Sequence, residues 1–151
     1  MAKQIYIRQT RSSEETEKLG AELAEQFIQN KNLPRFVALY GDLGVGKTAF
    51  VRGFTSMIAP RAGVRSPTFA LVNEYRAKPL SVFHFDMYRI TDGDDLYSIG
   101  YDDYIEAEGY AIAEWSENVE DFLPEDVIYV SIKRMAEDVD KRKIEIVGWK
   151  I

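Results

Sequence analysis

The sequence predicts an α/β fold of three layers, with helices on both sides of a central, mostly parallel or mixed sheet. Three observations predict it. Arg35 to Tyr40 is a nearly continuous apolar run, as expected of a strand buried on both faces. A glycine-rich stretch, Gly41 to Gly46, follows directly, and after it Phe50, Val51, Phe54, Met57 and Ile58 keep helical spacing up to Pro60. Several further β-type runs then recur downstream. Strand, glycine loop, helix and more strands is the order of an α/β nucleotide fold.

The elements follow in order. Ile5-Tyr6-Ile7 is a short β-type run. Ser12 to Glu15 reads as a helix start, with Ser12 and Glu15 at capping-box spacing. Leu19, Leu23, Phe27 and Ile28 fall on one face of that helix, which ends at Asn30 to Pro34. Beyond the glycine loop and its helix, Phe69 to Tyr75 and Leu80 to Phe85 read as strands split by Ala77-Lys78-Pro79. The acidic, tyrosine-rich segment Asp92 to Glu108 reads as short helices and loops. Tyr110 to Trp115 looks like another buried strand. Val127 to Ile132 and Lys143 to Trp149 are the last β-type runs, and the charged Glu137 to Lys143 reads as an exposed hairpin loop. One domain, 1–151, is the expectation for a chain of 151 residues.

Composition narrows the chemistry. Nineteen basic against 25 acidic side chains give a net charge of −6, so the chain lacks the basic face a duplex nucleic acid needs. Cysteine is absent, which removes disulfides, zinc-thiolate sites and a cysteine nucleophile together. His84 is the single histidine, which excludes a multi-histidine metal site. The opening has no apolar signal region and no run approaches a membrane span. A cytoplasmic protein with no membrane contact is the expectation.

Gly41-Asp42-Leu43-Gly44-Val45-Gly46-Lys47-Thr48 matches G-x-x-x-x-G-K-[ST] in full. A chance match in a chain of this length has odds of about 0.5%, with Gly at its usual share. The glycines permit a tight loop whose N–H groups turn inward around an anion, and the helix beginning near Lys47 adds its positive end. Lys47 reaches the β- and γ-phosphates, and the Thr48 hydroxyl can ligate Mg²⁺. The fold expectation thereby sharpens to a P-loop NTPase-like fold. Ala49 stands where a second hydroxyl often faces the α-phosphate, leaving only its N–H to serve. No D-x-x-G occurs, and Asn30-Lys31-Asn32-Leu33 lacks the aspartate of the guanine motif. ATP is therefore expected rather than GTP.

A phosphate loop needs an acidic group at a neighbouring strand end. Two runs supply one: Leu80 to Asp86, and Tyr110 to Glu114. Each acid terminates a strand, where ligands of α/β sheets bind; the plain alternative is a solvated acid opening a loop. Strand alternation points His84 with Asp86 to one face and Phe83 with Phe85 to the other. A hydrogen-bonded structural histidine is favoured there over a partner-facing one.

Gly41 to Thr48, Ser66-Pro67-Thr68-Phe69, His84-Phe85-Asp86-Met87-Tyr88-Arg89 and Glu114-Trp115-Ser116-Glu117 together resemble the bacterial TsaE family, also called YjeE. The resemblance covers roughly residues 35 to 125, and H-x-D-x-Y-R beside a P-loop is far more specific than the P-loop alone. It implies a small Mg²⁺-dependent ATPase needed for the threonylcarbamoyl modification of adenosine 37 in tRNA. It also implies work with a TsaB–TsaD heterodimer, which meets the tRNA directly. By the resemblance Gly44, Gly46, Lys47 and Thr48 bind the phosphates and Mg²⁺. Glu114 is the Walker-B-like acid, and Asp86 the essential acid of H-x-D-x-Y-R. Ser66 to Thr68 form a switch-like loop, Trp115 lies beside the site, and the base pocket involves the first helix near Ser13. Ala49 and Ser116 depart from a frequent threonine and proline.

Two other classes stay open at this stage. One is a small-molecule kinase, which usually needs an arginine-rich lid. Residues 91 to 109 carry seven acids and no Lys or Arg, a poor phosphate lid. The other is a nucleotide-gated binding module without useful hydrolysis. Arg52, Arg65 and Arg89 lie nearest the motif segments, none in a recognised finger context.

Overall fold

Four strands of one seven-stranded sheet run parallel at its centre, and antiparallel strands extend it on both sides. The strands are β1 Ile5–Thr10, β2 Phe36–Tyr40, β3 Val72–Tyr75, β4 Ser81–Asp86, β5 Gly109–Glu114, β6 Ile128–Met135 and β7 Asp138–Val147. They lie in the order β1-β7-β6-β2-β5-β4-β3. The helices are α1 Ser13–Gln29, α2 Lys47–Ile58, α3 Gly93–Ser98 and α4 Tyr101–Glu106, with a 3₁₀ segment Ser116–Phe122 after β5. This computed structural model describes residues 4–42, 44–65, 67 and 71–148. The sheet is mixed: β2–β5, β2–β6 and β4–β5 pair parallel, while β1–β7, β3–β4 and β6–β7 pair antiparallel.

Alternation along the central strands builds a core on each face. Val37, Leu39, Val82, Ile112, Ile128, Val130 and Ile132 pack with Leu19, Leu23 and Phe27 of α1 and Phe50, Val51 and Phe54 of α2. Ala38, Phe83, Phe85, Ala111 and Ala113 pack on the other face with Leu96 of α3, Tyr101 of α4 and Val119. His84, Asp86 and Glu114 share the strand parity of the first set, so they belong to the α1/α2 face. Ser12 caps α1 by accepting from the Glu15 N–H at 3.1 Å, and the Glu15 carboxylate accepts from the Arg11 N–H. The capping-box reading holds, with the return bond one residue earlier. Ile28 and Met57 are 46% and 41% exposed; both sit in the last turn of their helix rather than in the core.

Helices α1 and α2 cross by backbone contact. A Cβ on Gly53 would lie 1.7 Å from the Glu17 carbonyl oxygen, and one on Gly20 would lie 2.2 Å from that of Phe50. Alanine at Gly53 gains about 1 kcal/mol of helix propensity but must push the helices apart. A net loss of about 3 kcal/mol is expected from overpacking against backbone, roughly 10 °C in Tm. Thermal melting of Gly53→Ala checks this.

Two boundaries differ from the sequence reading. The segment read as an exposed loop, Glu137 to Lys143, is mostly strand: β7 begins at Asp138 and pairs with β6 through Lys133↔Lys143 and Arg134↔Arg142. Backbone pairing extends past the apolar part of the hairpin, which side-chain polarity alone conceals. The strand expected from Phe69 begins at Val72, and Phe69 and Ala70 lie outside the described residues. Trp149 lies outside them as well. Asp92 to Glu108 does form short helices, as expected. Among the described residues no helix is long and apolar enough to cross a membrane.

Candidate nucleotide site

The loop between β2 and α2 has the backbone its glycines permit. Gly41 has φ 152°, and a Cβ there would sit 2.8 Å from the Ile132 carbonyl oxygen. Gly46 has φ 111° and opens α2 with no side-chain cap. The first-turn N–H groups of α2 are thus left to meet an anion.

Lys47 lies at this helix start, 5% exposed, and its Nζ has no hydrogen-bond partner among the described residues. Its ammonium sits 4.3 Å from the centre of the Trp115 ring. A buried ammonium that meets a π face and the field of Glu117, with no hydrogen bond among the described residues, suits a stronger anion.

The facing wall comes from the ends of β4 and β5. Asp86 and Glu114 are the last residues of their strands and stand opposite each other in the parallel register. Glu114 is 5% exposed, and one carboxylate oxygen lies 2.6 Å from His84 Nε2. A carboxylate only accepts, so Nε2 carries the proton and donates. His84 is fully buried and its Nδ1 has no hydrogen-bond partner among the described residues. It is therefore the hydrogen-bonded histidine favoured from the sequence, and its bond fixes the orientation of Glu114. Asp86 accepts from the Tyr88 N–H at 3.0 Å, which tightens the turn after β4. Asn118 donates to the carbonyls of Met87 and Tyr88 and ties that turn to the 3₁₀ segment.

These groups surround one cleft of about 580 Å³. Ser13, Gly44, Gly46, Lys47, Thr48, Ala49, Asp86, Glu114 and Trp115 of the sequence-derived set all line it. Gly41, Asp42 and Val45 shape the loop without lining the cleft, and Leu43 lies outside the described residues. So do Ser66 and Thr68 of the switch-like loop; Pro67 is buried. Arg52 and Arg89 reach the cleft, with Arg52 3.6 Å from Glu17. Arg65 does not; its backbone bonds the Tyr75 hydroxyl. Burial, with Glu120 and Asp42 adding to it, holds the Glu117 carboxyl above its ordinary range, against the opposing pull of Lys47.

Leu71 and Tyr88, the latter the tyrosine of the H-x-D-x-Y-R run, carry no site role in the sequence reading, yet both line the cleft. Leu71 and Trp115 are the non-glycine residues with positive φ among those described, at 64° and 58°. Such conformations cost on the order of 1–3 kcal/mol each and gather where function demands them. No local sequence signal marks them.

The protein-family model for the threonylcarbamoyl adenosine biosynthesis protein TsaE matches residues 10–144. The chain belongs to the TsaE family. The TsaE protein of Haemophilus influenzae is 40% identical over 112 residues, which are 74% of this chain and 69% of that protein. That of Bacillus subtilis is 35% identical over 112 residues, 74% of this chain and 70% of that one. That of Rickettsia conorii is 32% identical over 137 residues, 90% of this chain and 74% of that one. The crystal structure of Bacillus subtilis YdiB is similar to the whole TsaE-family fold seen here. Its TM-score is 0.72 at 29% identity, covering 98% of this chain and 88% of that one. The α/β class with a mixed central sheet is thus shared with that solved structure.

Proposed function

We propose that this chain is a slow, cytoplasmic Mg²⁺-dependent ATPase. It serves the threonylcarbamoylation of adenosine 37 in tRNA, works with a TsaB–TsaD complex and meets tRNA only through that partner. The observation that carries the ATPase reading is the buried Lys47 ammonium, without a hydrogen bond among the described residues and set between an uncapped helix start and two strand-end carboxylates. The residues fit a nucleoside triphosphate with its cation. Gly41 to Ala49 supply the loop and its N–H groups, Lys47 the charge on the β- and γ-phosphates, and Ser13 and Trp115 the flanking walls. Thr48 and Glu114 are the metal ligands on this chain. Among the described residues no three acids or histidines gather to hold a metal by themselves, so phosphate oxygens and waters would complete the octahedral shell of Mg²⁺. When bound, Mg²⁺ neutralises charge developing on the transferred phosphoryl group. Asp86 and Glu114 are the catalytic acids that hold and orient the attacking water.

The partner and tRNA parts rest on the family, whose named relatives are tRNA threonylcarbamoyladenosine biosynthesis proteins. A chain of net charge −6 suits an indirect tRNA role. The acidic segment 93–106 forms α3 and α4, which pack their apolar residues on the other face of the sheet, so it makes no phosphate lid. The test is tRNA modification reconstituted with TsaB, TsaD, threonylcarbamoyl-adenylate and ATP. Multiple-turnover product should require this protein. Equal yield with and without it would end the assignment.

A further inference from the structure

Arg134 of β6 and Arg142 of β7 are direct cross-strand partners in the hairpin. Like charges at such a position repel, so the local sequence works against the pairing. Both arginines share the strand parity of the buried Ile132 and Ile144, and so the α1/α2 face, where the phosphate loop lies. There each guanidinium takes a loop carbonyl. Arg142 Nε donates to the Val45 oxygen at 2.8 Å, and an Arg134 Nη donates to the Gly44 oxygen at 3.2 Å. Arg142 also donates to the carbonyls of Val139 and Lys141, which anchors its own side chain to the hairpin.

We infer that Arg134 and Arg142 brace the phosphate loop in its anion-accepting shape and are positioning residues for the nucleotide. The inference rests on the nucleotide reading of the cleft. In a trans peptide unit C=O and N–H point in opposite directions. Holding the Val45 oxygen toward Arg142 therefore turns the Gly46 N–H away from the hairpin. The preceding unit is held at both ends: its oxygen by Arg134, and the Val45 N–H by the Asp42 oxygen at 3.4 Å. Gly44 and Gly46 flank these units, and glycine leaves peptide rotation cheap. Without an outside hold, the loop is free to turn its carbonyls toward an incoming anion. Arginine suits the task because its planar fork bonds the loop and the hairpin at once.

The test measures ATP affinity and the deuterium uptake of residues 41–50 without nucleotide. Arg142→Ala should weaken ATP at least tenfold, and Arg134→Ala, whose bond is longer and exposed, about threefold. Arg142→Lys should fall between wild type and Arg142→Ala. Lys133→Ala, on the same hairpin but of opposite strand parity, should leave affinity unchanged. Uptake in the loop should rise in Arg142→Ala and not in Lys133→Ala. A folded Arg142→Ala protein binding ATP within twofold of wild type overturns the brace. If Arg142→Ala does not fold, Arg142→Lys is judged by the same twofold limit. If wild type binds no ATP, the nucleotide reading fails instead, and equal loop uptake in Arg142→Ala and Lys133→Ala then overturns the brace.

Discussion

Lys47→Ala is expected to lower ATP turnover at least 100-fold, a loss of about 3 kcal/mol in transition-state stabilisation, while the protein melts no earlier than wild type. The two halves have one cause. The Lys47 ammonium is 5% exposed and has no hydrogen-bond partner among the described residues, so it is a largely desolvated charge. Its contact with Trp115, at 4.3 Å, returns up to about 2 kcal/mol, less than a full ion pair with hydrogen bonds would. Removing it should therefore cost little stability and could raise it by about 1 kcal/mol. Phosphate then loses its strongest positive partner. Phosphate release gives the turnover and a thermal melt gives the stability. Tryptophan fluorescence reports binding, since Trp115 lines the cleft, with Trp115→Phe as the control for the other tryptophan. A folded Lys47→Ala protein with wild-type turnover would remove the phosphate-loop reading.

What was legible in the sequence was what short-range chemistry writes there. The loop motif sits between β2 and α2 because a doubly buried strand reads as an apolar run and its helix as a periodic one. Asp86 and Glu114 are legible because each ends a β-type run, and strand parity points His84 to the same face as Asp86. Other features depend on what lies opposite. The register that sets Asp86 against Glu114, and the 2.6 Å bond between His84 and Glu114, join residues 28 and 30 positions apart in the chain. Arg142 reads as loop because its neighbours are charged, yet it serves a carbonyl 97 residues away. The positive φ of Trp115 follows no residue preference; the turn that brings its ring to Lys47 dictates it.

Glu114→Gln should cut hydrolysis at least 100-fold and leave ATP affinity within about threefold of wild type. Glutamine keeps the shape of glutamate and an oxygen that accepts from His84 Nε2, so the buried pair stays satisfied. Alanine would orphan that donor inside the protein, at about 1–3 kcal/mol, and would confuse stability with catalysis. What glutamine lacks is the negative charge that, in the proposed role, would help hold Mg²⁺ and orient water, a contribution that grows as charge develops in the transition state. Ground-state binding keeps Lys47 and the loop N–H groups. Asp86→Asn should also lose hydrolysis, though its half-buried carboxylate accepts from Tyr88 N–H as well, so loop placement contributes to its loss. Comparing the ratio of turnover to affinity in the two variants separates the roles. If Asp86→Asn alone loses turnover, Asp86 is the water-orienting acid and Glu114 a buried anchor for His84. Wild-type turnover in both would put the catalytic acid outside these strand ends.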